Sequence, residues 1–95
     1  MQTREDRIRS ILTDRFAPSL IKITDDSSKH AHHAGARAEG QTHYSVLLVS
    51  VAFAGVNRVA RPRAVHEALE AELASGLHAL ALSLRTPEEQ AKLAG

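Results

Sequence analysis

The 95-residue chain contains no cysteine and no tryptophan. Without cysteine there is no disulfide framework, no thiolate zinc finger, no thiol nucleophile, and no iron–sulfur centre built wholly from the chain's own thiolates. Only Phe16, Tyr44 and Phe53 are aromatic, and 16 of the apolar residues are alanine. That supply of large side chains suits one three-stranded sheet with covering helices, not two layers around a deep pocket. No apolar run approaches the roughly 20 residues that span a bilayer. The opening MQTREDRIRS has no hydrophobic stretch and carries Glu5 and Asp6, which argues against a secretory or transit leader and for a cytoplasmic protein. The length suits a single domain over 1–95, too small for an enzyme with a dedicated cofactor domain. Ser-His-Asp logic, a Gly-rich phosphate loop and paired acid/base carboxylates are all missing, so no enzymatic activity is expected.

Charge is balanced overall, at a net +1, but uneven along the chain. Residues 1–28 sum to zero, residues 29–66 carry a net +4, and residues 67–95 a net −3. Five of the six histidines, at 30, 32, 33, 43 and 66, also lie in the basic middle. Solvated surface charge accounts for much of such unevenness. The same pattern also suits an anionic partner or a metal near the middle.

Residues 4–16 read as a helix, with Ile8, Ile11, Leu12 and Phe16 on one face and Thr3 as N-cap ahead of Asp6. Pro18 ends it. Leu20–Thr24 is a short β-branched strand. Residues 25–41 (DDSSKHAHHAGARAEGQ) form a long histidine-rich loop, and loops of that length in small domains are functional or disordered. His43–Val51 is apolar on both faces and reads as the central strand. A helix is expected from Pro62 to Ala74, with Gly76 as its left-handed terminator. Leu77–Leu84 is a third strand, with His78, Leu80, Leu82 and Leu84 in one row. Thr86-Pro87-Glu88-Glu89 opens a last helix with a capping box. The order α-β-β-α-β-α predicts an α+β domain: a three-stranded mixed sheet, strands one and two antiparallel and strand three parallel, with helices on one face.

Four segments in this order resemble the BolA family over roughly residues 5–90: Lys29-His30-Ala31-His32-His33-Ala34-Gly35; Thr42-His43-Tyr44 leading to Leu48-Val49-Ser50; Phe53-x-Gly55-x-x-Arg58-Val59-x-Arg61-x-Arg63-x-Val65; and Leu69, Glu72-Leu73, His78-Ala79-Leu80-x-Leu82 followed by Thr86-Pro87-Glu88-Glu89. The resemblance implies a fold similar to class II KH domains without their Gly-x-x-Gly nucleic-acid loop. It also implies a monothiol glutaredoxin as partner, with a two-iron two-sulfur (2Fe-2S) cluster bridging the two proteins. The glutaredoxin and its glutathione would give thiolates and this chain histidine, so the isolated chain would hold no cluster. Links to iron–sulfur trafficking, transcription regulation and stress response come with the family. The chain departs from its pattern at Arg61-Pro62-Arg63, usually Arg-His-Arg, at Ser28, where relatives often carry histidine, and at Val51, usually polar.

From spacing alone His78 reads as a core histidine on a leucine row. The resemblance makes it the principal metal ligand, at the family's invariant C-terminal histidine. His30, His32 and His33 form a tract that chelates metals without a designed site; the resemblance ranks His33, then His30, as the second ligand. His43 reads as a strand-end residue supporting the site. Arg58, Arg61 and Arg63 form a basic patch at the start of the second helix, where cations oppose the helix dipole unless an anion meets them. Their expected partner is the glutaredoxin or, in the alternative reading, DNA bound by a small transcriptional regulator. Pro62 and the lack of a base-reading helix weigh against the latter. Alone, the chain is expected to be a monomer or a weak homodimer.

Overall fold

The structure, a computed structural model, describes residues 2–26 and 42–94. Helix α1 spans Arg4–Phe16. The Thr3 hydroxyl accepts from the Asp6 amide at 3.1 Å, and the Asp6 carboxylate accepts from the Thr3 amide at 3.1 Å. This reciprocal cap satisfies amides that the first turn would otherwise leave unpaired. Ile8, Leu12 and Phe16 are buried on one stripe.

The strands are β1 (Leu20–Asp25), β2 (His43–Val49) and β3 (Ala79–Arg85), in the order β1-β2-β3. β1 runs antiparallel to β2, with Leu20 opposite Val49 and Asp25 opposite Tyr44. β3 runs parallel to β2, with His43 beside Ala79 and Val49 beside Arg85. The expected strand directions and the central position of β2 are thus what the protein has. One face of β2 buries Tyr44, Val46 and Leu48, flanked by Ile21, Ile23, Leu80, Leu82 and Leu84. These pack with Ile8, Leu12, Phe16, Phe53, Val65 and Leu69, each buried side chain contributing about 1.5–3 kcal/mol. Lys22, Thr24, Ser45, Leu47, Ala81 and Ser83 line a shallow hollow on the other face.

Three boundaries differ from the sequence reading. β2 stops at Val49 because the buried Ser50 hydroxyl donates to the Phe16 carbonyl and accepts from the Ala52 amide at 3.0 Å. A single 3-10 turn, Val51–Phe53, follows. The expected helix from Pro62 begins earlier, as α2 (Ala60–Ala68). Asn57 Oδ1 accepts from the Val59 and Ala60 amides at 3.1 and 2.8 Å. Pro62 still falls within the first turn, where its missing N–H costs nothing. The helix also breaks at Leu69 (φ −100°, ψ 17°) into α2 and α3 (Glu70–Ala74). Leu69 stays buried at the break, and α3 carries the buried Glu72. Helix α4 covers Pro87–Ala94. Of the expected 25–41 loop, Asp25 closes β1 and Asp26 follows it; residues 27–41 lie outside the described residues.

Glu72 ties α3 to α1. Arg4 Nη1 donates to the Glu72 carboxylate and to its carbonyl, both at 3.0 Å, and Arg7 Nε donates to the carboxylate at 3.0 Å. The Leu77 amide donates to the same carbonyl at 3.0 Å. The Arg4 and Glu72 side chains are 10% and 8% exposed, so removing one leaves the other charge buried. Glu72→Ala is expected to cost on the order of 3 kcal/mol, read as a lower urea midpoint at unchanged slope. Replacing both together (Arg4→Met, Glu72→Leu) should recover most of the loss; a cost below about 1 kcal/mol for the single change would refute this role.

Candidate functional site

At one end of the sheet the start of β2, the start of β3 and the end of β1 come together. The Thr42 carbonyl accepts from the His78 amide at 2.8 Å and from the Ala79 amide at 3.2 Å, so parallel pairing begins there. On the β1 side the Asp26 amide donates to the His43 carbonyl at 2.7 Å. Asp26 and Thr42, the described residues on either side of segment 27–41, therefore both lie at the end that carries His78.

His78 is exposed. Leu77 just before it is buried, and Gly76 (φ 128°) makes the left-handed turn that only a residue without Cβ enters readily. That turn plugs Leu77 into the core and leaves His78 on the rim. It does not continue the leucine row, because β3 begins one residue later, at Ala79. The ring of His43 lies beside it, with centroids 6.1 Å apart and planes 17° from parallel. Thr42 Oγ1 is 2.9 Å from His43 Nδ1, and Thr42 itself is 2% exposed. The sequence reading gave His43 only a supporting place and Thr42 none. The β2–β3 register that brings them to His78 has no local signal in either strand. His30, His32 and His33 lie outside the described residues.

The three arginines do not act alike. The expected contact role of Arg61 is corrected by its burial, at 6% exposure. Nε donates to the Val56 carbonyl at 2.8 Å. Nη1 donates to the Leu84 carbonyl at 3.1 Å and to Glu89 Oε1 at 2.7 Å; Nη2 donates to the Phe53 carbonyl and Glu89 Oε2 at 3.2 and 3.3 Å. A guanidinium has five N–H donors, and all five are used. The group also lies 5.7 Å from the Phe53 ring centroid. Arg61 clamps α2 to β3 and α4 and has nothing left for an outside anion. Arg58 and Arg63 are exposed, Arg58 lying 4.0 Å from Glu89 Oε2. Glu89 also closes the α4 capping box with Thr86. Its hydrogen bonds from Arg61, then from the Thr86 backbone, lower its pKa from 4.5 to about 2.

As a metal donor set, the described residues contain no group of three or more His, Cys, Asp or Glu side chains that could hold an ion together. What the sheet end offers is one or two neutral imidazoles at an exposed rim. That fits a centre whose remaining ligands come from another molecule, and does not fit a self-contained one.

The arrangement is a small α+β domain presenting histidine at one sheet end, and comparison with known proteins gives it a family. The BolA-like protein family profile matches residues 12–89. The chain is 41% identical over 91 residues to Protein BOLA1, chloroplastic, of Arabidopsis thaliana, covering 94% of this chain and 57% of that protein. It is 40% identical to SufE-like protein 1 of the same plant, covering 92% of this chain and 24% of that protein. It thus spans little more than half of the first relative and about a quarter of the second. The DNA-binding transcriptional regulator BolA of Vibrio cholerae is 38% identical, covering 90% of this chain and 76% of that protein. The solved structure of BolA1 from Arabidopsis thaliana superposes with a TM-score of 0.84 at 40% identity, covering 94% of this chain and 97% of that one. The chain belongs to the BolA family.

Because the Glu89 carboxyl is held below its ordinary value, its bonds to Arg61 and the Thr86 backbone contribute fully above about pH 4.5 and are lost as pH falls toward 2. Titration of this carboxyl by NMR should give a midpoint near 2. Arg61→Met should move that midpoint up toward 4.5 and shift acid unfolding to higher pH; a midpoint unmoved by the change would show that Arg61 is not the cause.

Proposed function

We propose that this chain is a BolA-like adaptor that binds a monothiol glutaredoxin and gives histidine to a 2Fe-2S cluster shared with the glutaredoxin and its glutathione. Its role is then iron–sulfur trafficking or iron- and stress-linked regulation in the cytoplasm, without catalysis of its own. The observation that carries this reading is the exposed His78 ring at the sheet end where segment 27–41 leaves and returns. In this reading His78 is the first ligand, and His33, or failing it His30, the second. The chain's part is to present a neutral imidazole at a rim open to a docking partner, on a backbone that Leu77 and Thr42 hold still. Histidine ligation, when the cluster is bound, sets a higher potential than thiolate alone.

Anaerobic reconstitution with a monothiol glutaredoxin and glutathione tests this. The mixed complex should show visible absorption and circular dichroism distinct from those of the glutaredoxin alone. His78→Ala should abolish that signature, and His33→Ala or His30→Ala should alter it. A spectrum unchanged by His78→Ala rejects that residue as a ligand.

A DNA-binding role is the second reading, favoured by the name of the Vibrio cholerae relative and by the exposed Arg58 and Arg63. It requires affinity that falls linearly in log–log terms with salt and is lost in Arg58→Glu/Arg63→Glu. Binding indifferent to both would dismiss it.

A further inference from the structure

The pairing of His43 with His78 has a consequence that needs no partner protein. We infer that these two residues form a binding site for one divalent late-transition ion of the zinc–nickel class on the isolated chain, with Thr42 as its positioning residue. A zinc–nitrogen bond of about 2.1 Å places each imidazole centroid roughly 3.2 Å from the metal, so two rings in tetrahedral array have centroids about 5 Å apart. The observed separation is 6.1 Å, and His78 is exposed and able to swing inward. Imidazole selects zinc, nickel and copper over magnesium and calcium, which prefer oxygen.

Thr42 supplies what a ligating histidine needs behind it. Its hydroxyl lies 2.9 Å from His43 Nδ1. When Nδ1–H donates to that oxygen, the ring is fixed in the tautomer that puts the Nε2 lone pair on the ion. Thr42 is buried, and its carbonyl also holds the His78 amide. One residue therefore orients one ring and anchors the backbone of the other. The ion's remaining positions are left to water. A chain so occupied has committed His78 and cannot give that imidazole to iron, so occupancy of the pair regulates the proposed cluster site. The inference shares His78 with that reading but not its glutaredoxin, and the two fail separately.

The test uses the full chain without any partner and zinc ion alone as probe. His30, His32 and His33 are first changed to Gln, so that the tract cannot bind. Calorimetry of this background should give one equivalent of zinc, and 15N spectra should show the His43 and His78 ring nitrogens shifting together. His43→Gln or His78→Gln added to it should weaken zinc at least tenfold, with the fold intact by circular dichroism. Thr42→Val should weaken it about tenfold, and Thr42→Ser should restore it. Loss of all zinc binding in the tract-free background overturns the inference, as does affinity indifferent to His43→Gln.

Discussion

The rest of the molecule depends on parallel pairing between β2 and β3, which begins where the Thr42 carbonyl takes the amides of His78 and Ala79. Parallel strands cannot be joined by a tight turn. They need a crossover, and the crossover here is α2 and α3. Once that pairing is made, the sheet acquires one end at which His43, His78 and the described residues flanking segment 27–41 all meet. The other end of β3 carries Arg85, the Thr86 cap and α4. Chemistry and scaffold are thereby separated along one strand.

Two ion pairs hold the crossover at its extremities. At the α3 end, Arg4 and Arg7 of α1 grip Glu72, whose carbonyl also takes the Leu77 amide that precedes the histidine. At the α2 end, Arg61 grips Glu89 while its other donors take three backbone carbonyls. Both arginines are mostly buried and their bonds cross between elements distant in sequence. Breaking either would strand a charge out of water, which is why such pairs act as fixtures more than as sources of net stability. Fixed at both ends, the crossover sets where β3 starts and so which residue stands on the rim.

The exposed sheet end then matches the donor inventory. Without cysteine, and with no larger ligand group among the described residues, the chain offers imidazole to a centre completed by something else. Family membership places it among proteins whose names include a DNA-binding transcriptional regulator and a SufE-like protein. The geometry of the histidine pair is what distinguishes the adaptor reading, since Arg61, the centre of the basic patch that a nucleic acid would need, is spent inside the fold.

Much of this was legible in the chain itself. The α1 stripe of Ile8, Leu12 and Phe16, the Thr3 and Thr86 caps, the apolar β2 and the Gly76 turn are local patterns, because amphipathic spacing and capping act within a few residues. So were the directions of the strands, since the two stretches of chain that link them differ in kind. The break at Leu69, the early start of α2 at Asn57 and the end of β2 at Ser50 were not, because each is made by a side chain answering a particular neighbour. Nor could spacing tell that Arg61 lies inside while Arg58 and Arg63 lie outside, or that His78 leaves the leucine row. Sequence by itself determined the elements and the family, whose signals are short-range. Only the tertiary structure decided which imidazoles are neighbours, because that follows from the register of two strands some thirty-five residues apart, a distance over which no local propensity acts.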